Sequence, residues 1–199
     1  IANLSQNYRS VTFSDIRVVS PTFIVDPNIK DERGFTGDFG IKGQLKNYLS
    51  YELTMYTVYY QDRIGIVLDN RANRVRKNIG KALIAGNEGL INLNIGKLIN
   101  PLQSKFRLNF YLNGAFTYSE YVDSEEENVI GNQVEFVPQS NIKTGITFNV
   151  NNFEMTYQHS YTSRQYTDAQ NSAVAAYGDS KSGIVGDIPA YSISDLTFG

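Results

Sequence analysis

The chain has 199 residues, and its 18 Lys and Arg against 20 Asp and Glu leave a net charge of −2, so whole-chain electrostatics does not point to a nucleic-acid partner. With no Cys and one His, it offers no disulfide framework, no zinc–thiolate centre, no thiol nucleophile and only a single imidazole. No apolar run is long enough for a membrane-spanning helix, but a mean hydropathy of −0.31 is compatible with an outer-membrane barrel, whose strands alternate lipid-facing and lumen-facing residues.

A faint alternation over residues 2–13 opens the chain. Strands are then predicted over 35–45, 50–68, 81–99, 105–120, 141–150 and 153–162, and a last one runs from Tyr191 towards Gly199. This makes about seven strands besides the faint first one, with no repeat and no second domain. The chain starts at Ile1 without a targeting segment and stops inside a strand, which reads as an internal fragment of a longer protein.

Three segments show the alternation cleanly. One phase carries Phe106, Leu108, Phe110, Leu112, Gly114, Phe116 and Tyr118; then Ile142, Thr144, Ile146, Phe148 and Val150; then Phe153, Met155, Tyr157, His159 and Tyr161. No Asp, Glu, Lys or Arg falls on it, whereas Lys105, Arg107, Lys143 and Glu154 all fall on the other. Such a period of two makes a pleated strand with one greasy and one wet face. Soluble strands usually stop after about five or six residues, and a tilted membrane strand needs roughly nine to eleven, so the length of these segments favours lipid. Residues 50–68 and 79–90 alternate less cleanly, which a bulge or an extension above the membrane accounts for.

Short connections (44–50, Asn100–Ser104 and 150–152) alternate with long polar ones (14–34, 69–79, 121–137 and 164–190), as barrels place tight turns at one rim and long loops at the other. All five prolines fall in loops or at strand starts, where a lost N–H breaks no ladder bond.

Tyr8-Arg9-Ser-Val-Thr-Phe13-Ser-Asp15, Asp26-Pro27-Asn28-Ile29-Lys30-Asp31-Glu32 and Phe39-Gly40-Ile41-Lys42-Gly43 resemble the later barrel strands of TonB-dependent outer-membrane receptors. That family often carries an N-P-N-L-K-P-E loop followed by a Y-E-L-G-L-K-G strand; here Asp26 and Asp31 replace the usual Asn and Pro. Asn78-Ile79-Gly80, and Pro189-Ala190-Tyr191 leading to Asp195-Leu196, are similar to strand starts of the same receptors. The resemblance covers the whole chain and is strongest to siderophore receptors of the ferric dicitrate type. It implies an all-β fold, an antiparallel transmembrane β-barrel of which this chain forms a fragment of seven to eight strands. It further implies a 22-stranded whole in the bacterial outer membrane, with residues 1–199 as a partial barrel domain and the plug domain and final strands outside this chain. The implied partners are a ferric siderophore or similar nutrient chelate, an inner-membrane energy-coupling protein reached through the plug, and outer-membrane lipid and lipopolysaccharide. No cofactor, no metal and no catalysis are implied.

The basic run Arg71-Ala72-Asn73-Arg74-Val75-Arg76-Lys77 falls in a long loop, and planar guanidinium forks suit carboxylate-rich ligands such as citrate chelates. Arg71, Arg74 and Arg76 are therefore the candidate ligand-binding residues; a solvated loop or contact with lipopolysaccharide is the alternative. The acidic run Asp123 to Asn128 lacks the spacing and the Gly of a calcium loop and reads as hydrated. Asp31-Glu32 and Asp62-Arg63 read as surface or lumen charges. His159, on the lipid phase between two tyrosines, fits an aromatic girdle better than catalysis. Tyr56, Tyr60 and Tyr111 fall on the lumen phase, where they either stack on ligands or pack. The function expected is energy-coupled uptake of a ferric chelate, against a passive porin-like channel or a soluble carbohydrate-binding β-protein.

Overall fold

The computed structural model describes residues 1–18, 20–71, 73–100, 106–173 and 186–199. Its main sheet has the order β1 (Ala2–Arg9), β3 (Glu32–Leu45), β4 (Leu49–Leu68), β5 (Arg74–Asn94), β6 (Phe106–Ser124), β7 (Ser140–Val150), β8 (Phe153–Thr162) and β11 (Tyr191–Phe198), every neighbouring pair antiparallel. β1 and β11 are the two ends of this path, so the barrel is not closed within the chain. A short β2 (Phe23–Val25) joins β5 in parallel, and β9 (Gln165–Tyr166) pairs with β10 (Asp187–Ile188).

The register puts one continuous phase on the outside of the wall. Phe39, Met55, Asn87 and Phe116 are opposed in turn across β3 to β6, and Leu108, Phe148, Met155 and Phe198 across β6 to β11. Directly opposed residues of antiparallel strands share a face, so the clean alternations of the sequence join into one apolar band. Its side chains are bare: Met55 is 65% exposed and Phe198 62%. Among the described residues, charge on this phase begins only towards the long-loop end, at Arg33, Lys81 and Glu120. The other phase is polar and cross-linked by short side chains. Asn3 donates to Asp38 at 3.1 Å, Tyr56 and Thr117 share a hydrogen bond of 2.7 Å, and Thr147 and Thr156 one of 3.1 Å.

β4 and β5 contain 20 and 21 residues. At about 3.4 Å per residue and a tilt near 45° they rise roughly 50 Å, well beyond an apolar band of about 25 Å. They therefore form a mast that extends beyond such a band, and at its tip the Asp69 N–H donates to the Asn73 carbonyl at 3.0 Å. The expected 69–79 loop thus shrinks to the mast tip. Register shifts between Tyr60 and Ile64, and between Lys81 and Ala82, are the irregularities that blurred the alternation. They also flip its phase. Below the shifts the even residues Tyr60, Ala82 and Ile84 face inwards; above them the odd residues Val67, Val75 and Ile79 pack into the same core.

Two expected strands end early for local reasons. The 2–13 strand stops at Arg9, because Asp15 accepts the Thr12 N–H (2.9 Å) and starts α1 (Phe13–Ile16). The 81–99 strand stops at Asn94, whose side chain accepts the Lys97 N–H at 2.8 Å and caps α2 (Ile95–Ile99). At the remaining short turns Lys46 and Asn151 take left-handed φ of 50° and 52°. Residues 101–104 of the expected third turn, Lys105, Ala72 of the basic run and residues 174–185 of the last loop lie outside the described residues.

The phase assignment has a direct consequence. Leu108→Arg or Ile146→Arg should destabilise the complete barrel by about 2–4 kcal/mol if they lie near the bilayer midplane, whereas Asn109→Arg should be much milder. Equilibrium unfolding from lipid vesicles measures both.

Candidate functional site

At the long-loop end, three loops and the mast fold together on the inner side of the wall. Val67, Ile79, Ala82, Tyr121, Val129, Val134 and Ala169 form a buried cluster, with Tyr60, Val75, Ile84 and Val137 packed against it. The β6–β7 loop turns back on its own strand: Gly131 N–H donates to the Tyr121 carbonyl (2.8 Å), and Tyr121 N–H to that of Asn132 (2.9 Å). The segment after β9 reaches the mast through Ala169 N–H and the Ile66 carbonyl at 2.8 Å. The first loop crosses β3 and β4 to lay β2 along β5, with Arg74 N–H donating to the Thr22 carbonyl at 2.8 Å. These contacts make a cap.

Charged side chains fasten it. Glu32, 2% exposed, accepts from Arg63 Nη1 at 2.9 Å and from the Ile64 N–H at 2.7 Å, and Arg9 Nη1 stands 3.3 Å away. Arg9 also makes two 2.8 Å hydrogen bonds to Asp15. Asn78 clamps the Asp26–Glu32 segment to the mast, accepting from Lys30 N–H (2.7 Å) and donating to the Lys30 and Asp62 carbonyls (2.9 and 3.0 Å). Reading Glu32 and Arg63 as surface or lumen charges therefore needs correction: they pair with each other in the interior. Their separation of 31 residues leaves no local signal. Glu135 and Tyr121 likewise escaped the sequence reading, which named Asn78 only as part of a strand start.

Of the candidate ligand residues, Arg71 is exposed at the mast tip, its N–H bound to Asp69 at 2.8 Å. Arg74 is 4% exposed and donates to the Thr167 carbonyl at 2.8 Å. Arg76 donates to the Ser14 carbonyl at 2.6 Å and lies 5.0 Å from the Phe23 ring centre. Arg74 and Arg76 thus each reach a different loop, and only Arg71 holds an exposed position. In the acidic run, Asp123 pairs with Lys81 and Glu126 with Lys77, both at 2.5 Å. His159 shares a 2.8 Å hydrogen bond with Ser194 on the outer face.

The inner tyrosines do not converge. Tyr56 and Tyr111 lie over their directly paired glycines, Gly86 and Gly145, while Tyr60 packs on the cap and stands 5.0 Å beneath the Arg63 guanidinium. Towards the short turns, a shallow depression is lined by amide and hydroxyl groups of Gln44, Ser50, Asn92, Asn109 and Thr147 beside Tyr111. Hydrogen-bonding groups of this kind make a wettable wall and supply no nucleophile–base pair.

A family model described as TonB dependent receptor-like, beta-barrel matches residues 1–199. The fold is similar to that of the ferric citrate transporter FecA in its unliganded form, with a TM-score of 0.70 and 19% identity over 99% of this chain and 27% of that one. The ferric yersiniabactin uptake receptor FyuA of Yersinia pestis gives 0.67 and 15% over 100% and 26%, and the copper transporter OprC 0.66 and 14% over 99% and 28%. The chain thus spans about a quarter of the length of each. No curated protein sequence matches it.

The Glu32 cluster can be tested by deletion. Glu32→Ala leaves the buried Arg63 guanidinium and the Ile64 N–H without their acceptor, and Arg9 with Asp15 alone, and should cost about 3–5 kcal/mol, seen as a lowered urea midpoint of the complete protein. Glu88→Ala, at an exposed position on the inner wall, should stay within about 0.5 kcal/mol.

Proposed function

The chain belongs to the TonB-dependent receptor-like β-barrel family, whose structural neighbours here are receptors and transporters rather than enzymes, and on that premise we propose that it is part of the wall of an outer-membrane uptake receptor for a ferric chelate. The observation that carries this reading is the two-sidedness of the sheet: a bare apolar band without charge outside, a polar wall inside, and a loop cap at one end. Water would penalise such a band over eight strands, whereas hydrocarbon requires it.

In this reading, further strands outside residues 1–199 complete the barrel and satisfy the edges of β1 and β11, since open edges are not tolerated in lipid. A plug domain, also outside this chain, fills the lumen and couples to an inner-membrane energy protein. The chelate, a siderophore or ferric citrate, binds among the loops and passes along the amide-lined wall after the plug rearranges. Lipid contacts the band, and lipopolysaccharide the charged upper rim around Arg33. A plug upstream in the same gene separates this reading from a passive channel. A soluble carbohydrate-binding protein would leave the band without a role.

Direct ligand contact then falls to Arg71, whose guanidinium fork suits a citrate carboxylate, while Arg74 and Arg76 hold the loops that surround it. Uptake of radiolabelled ferric citrate and ferric siderophores by cells with and without the complete receptor tests the function; equal uptake by both would reject it. Within that assay, Arg71→Ala should weaken chelate binding about tenfold, the loss of one charge-assisted hydrogen bond. Arg74→Ala should instead lower the stability of the protein.

A further inference from the structure

Glu135 is 3% exposed, on a loop that has every opportunity to turn it towards water. It sits at the junction of three elements. The Tyr121 hydroxyl of β6 donates to Glu135 Oε2 at 2.6 Å. On the mast, Gly65 of β4 makes room for the other oxygen: a Cβ there would collide with Oε1 and stand 2.8 Å from both the Tyr121 hydroxyl and Ile79. The Arg63 guanidinium on the same strand is the positive charge acting on it, but its Nη1 is directed at Glu32, and its Nε is buried without a partner.

Charge balance around this junction is uneven. The charged groups of β1, α1, β3, β4 and the loop are Arg9, Asp15, Glu32, Arg63 and Glu135; β5 contributes apolar Ile79 and, opposite Gly65, Lys77, which Glu126 of the loop neutralises, and Tyr121 is the titratable group of β6. Three carboxylates face two guanidiniums. Arg9 pairs with Asp15 and Glu32 and Arg63 with Glu32, while the Arg63 charge also acts on Glu135; Glu135 thus shares one guanidinium where Glu32 has two, and the surplus negative charge falls on it. A proton removes that surplus, because a neutral carboxyl keeps the Tyr121 hydrogen bond without a buried uncompensated charge.

We propose that Glu135 is a proton-operated latch of the cap, which ties the β6–β7 loop to the mast when protonated and loosens it when ionised. Burial, opposed by the Tyr121 hydroxyl, the Arg63 charge and the backbone N–H groups of Glu135 and Ile66, lifts its carboxyl above the ordinary value. A carboxyl raised in the folded state contributes stability that is full below its unfolded value and disappears as pH rises through its folded one. The cap therefore tightens in mild acid. This concerns the loops alone and is independent of any ligand.

Amide hydrogen exchange of the membrane-embedded protein tests the latch, read as protection factors for residues 129–136 so that the intrinsic pH dependence of exchange cancels. Protection should fall at least about tenfold between pH 5 and pH 8 in the unaltered protein. Glu135→Gln, a permanent mimic of the neutral acid, should hold the pH 5 level at both values, and Glu135→Ala should be low at both. Asp168, the other buried loop carboxyl that is raised by desolvation, provides the control: Asp168→Asn should retain the step. A flat profile in the unaltered protein, a step that persists in Glu135→Gln, or a step that vanishes in Asp168→Asn would each overturn the proposal.

Discussion

In hydrocarbon, each peptide N–H and C=O of a spanning segment must find its partner within the protein, and this requirement orders the whole sheet. It calls for long uninterrupted strands laid side by side, as in the pairing of β4 with β5 and of β6 with β7. Once the backbone is committed to that ladder, side chains have two destinations, and solvent decides between them. Lipid accepts Leu108, Ile146 and Phe198; the inner wall takes Asn109, Thr147 and Thr197. Among the described residues no second layer covers the band, and in the proposed reading lipid completes its burial.

Above the membrane the logic reverses. Water is available to the loops, yet they bury Val129, Val134 and Ala169 against the mast and bring Glu32 and Arg63 inside with them. The two register shifts make this possible, because turning the phase of β4 and β5 presents Val67, Val75 and Ile79 inwards where an unbroken alternation would have pointed them out. A small aqueous-type core therefore rests on a lipid-type wall within one pair of strands.

This division explains what the sequence disclosed. The wall repeats one rule every two residues, so β7 and β8 could be bounded within a residue, and the outward position of His159 follows from its phase. The cap obeys no period. Glu32 meets Arg63 across a hairpin, Glu135 meets Tyr121 through a returning loop, and β2 pairs with a strand some fifty residues later; each depends on register that no local pattern encodes. Side-chain capping at Asp15 and Asn94 is local but was masked by apolar neighbours that also suit strands. Among the arginines, composition pointed to a cluster, whereas the fold distributes it: Arg74 and Arg76 fasten separate loops, and Arg71 alone is exposed.

The parallel pairing of β2 with β5 carries an implication for the order of assembly. Phe23 is opposite Arg74, so the first loop gains its resting place only after β3, β4 and β5 have been laid down. Closing so distant a contact is slow compared with forming the neighbouring hairpins. The cap is consequently a late product of a finished wall rather than a scaffold for it. Until that moment the first loop lacks the strand that receives it, so an interrupted wall would be left without its cap.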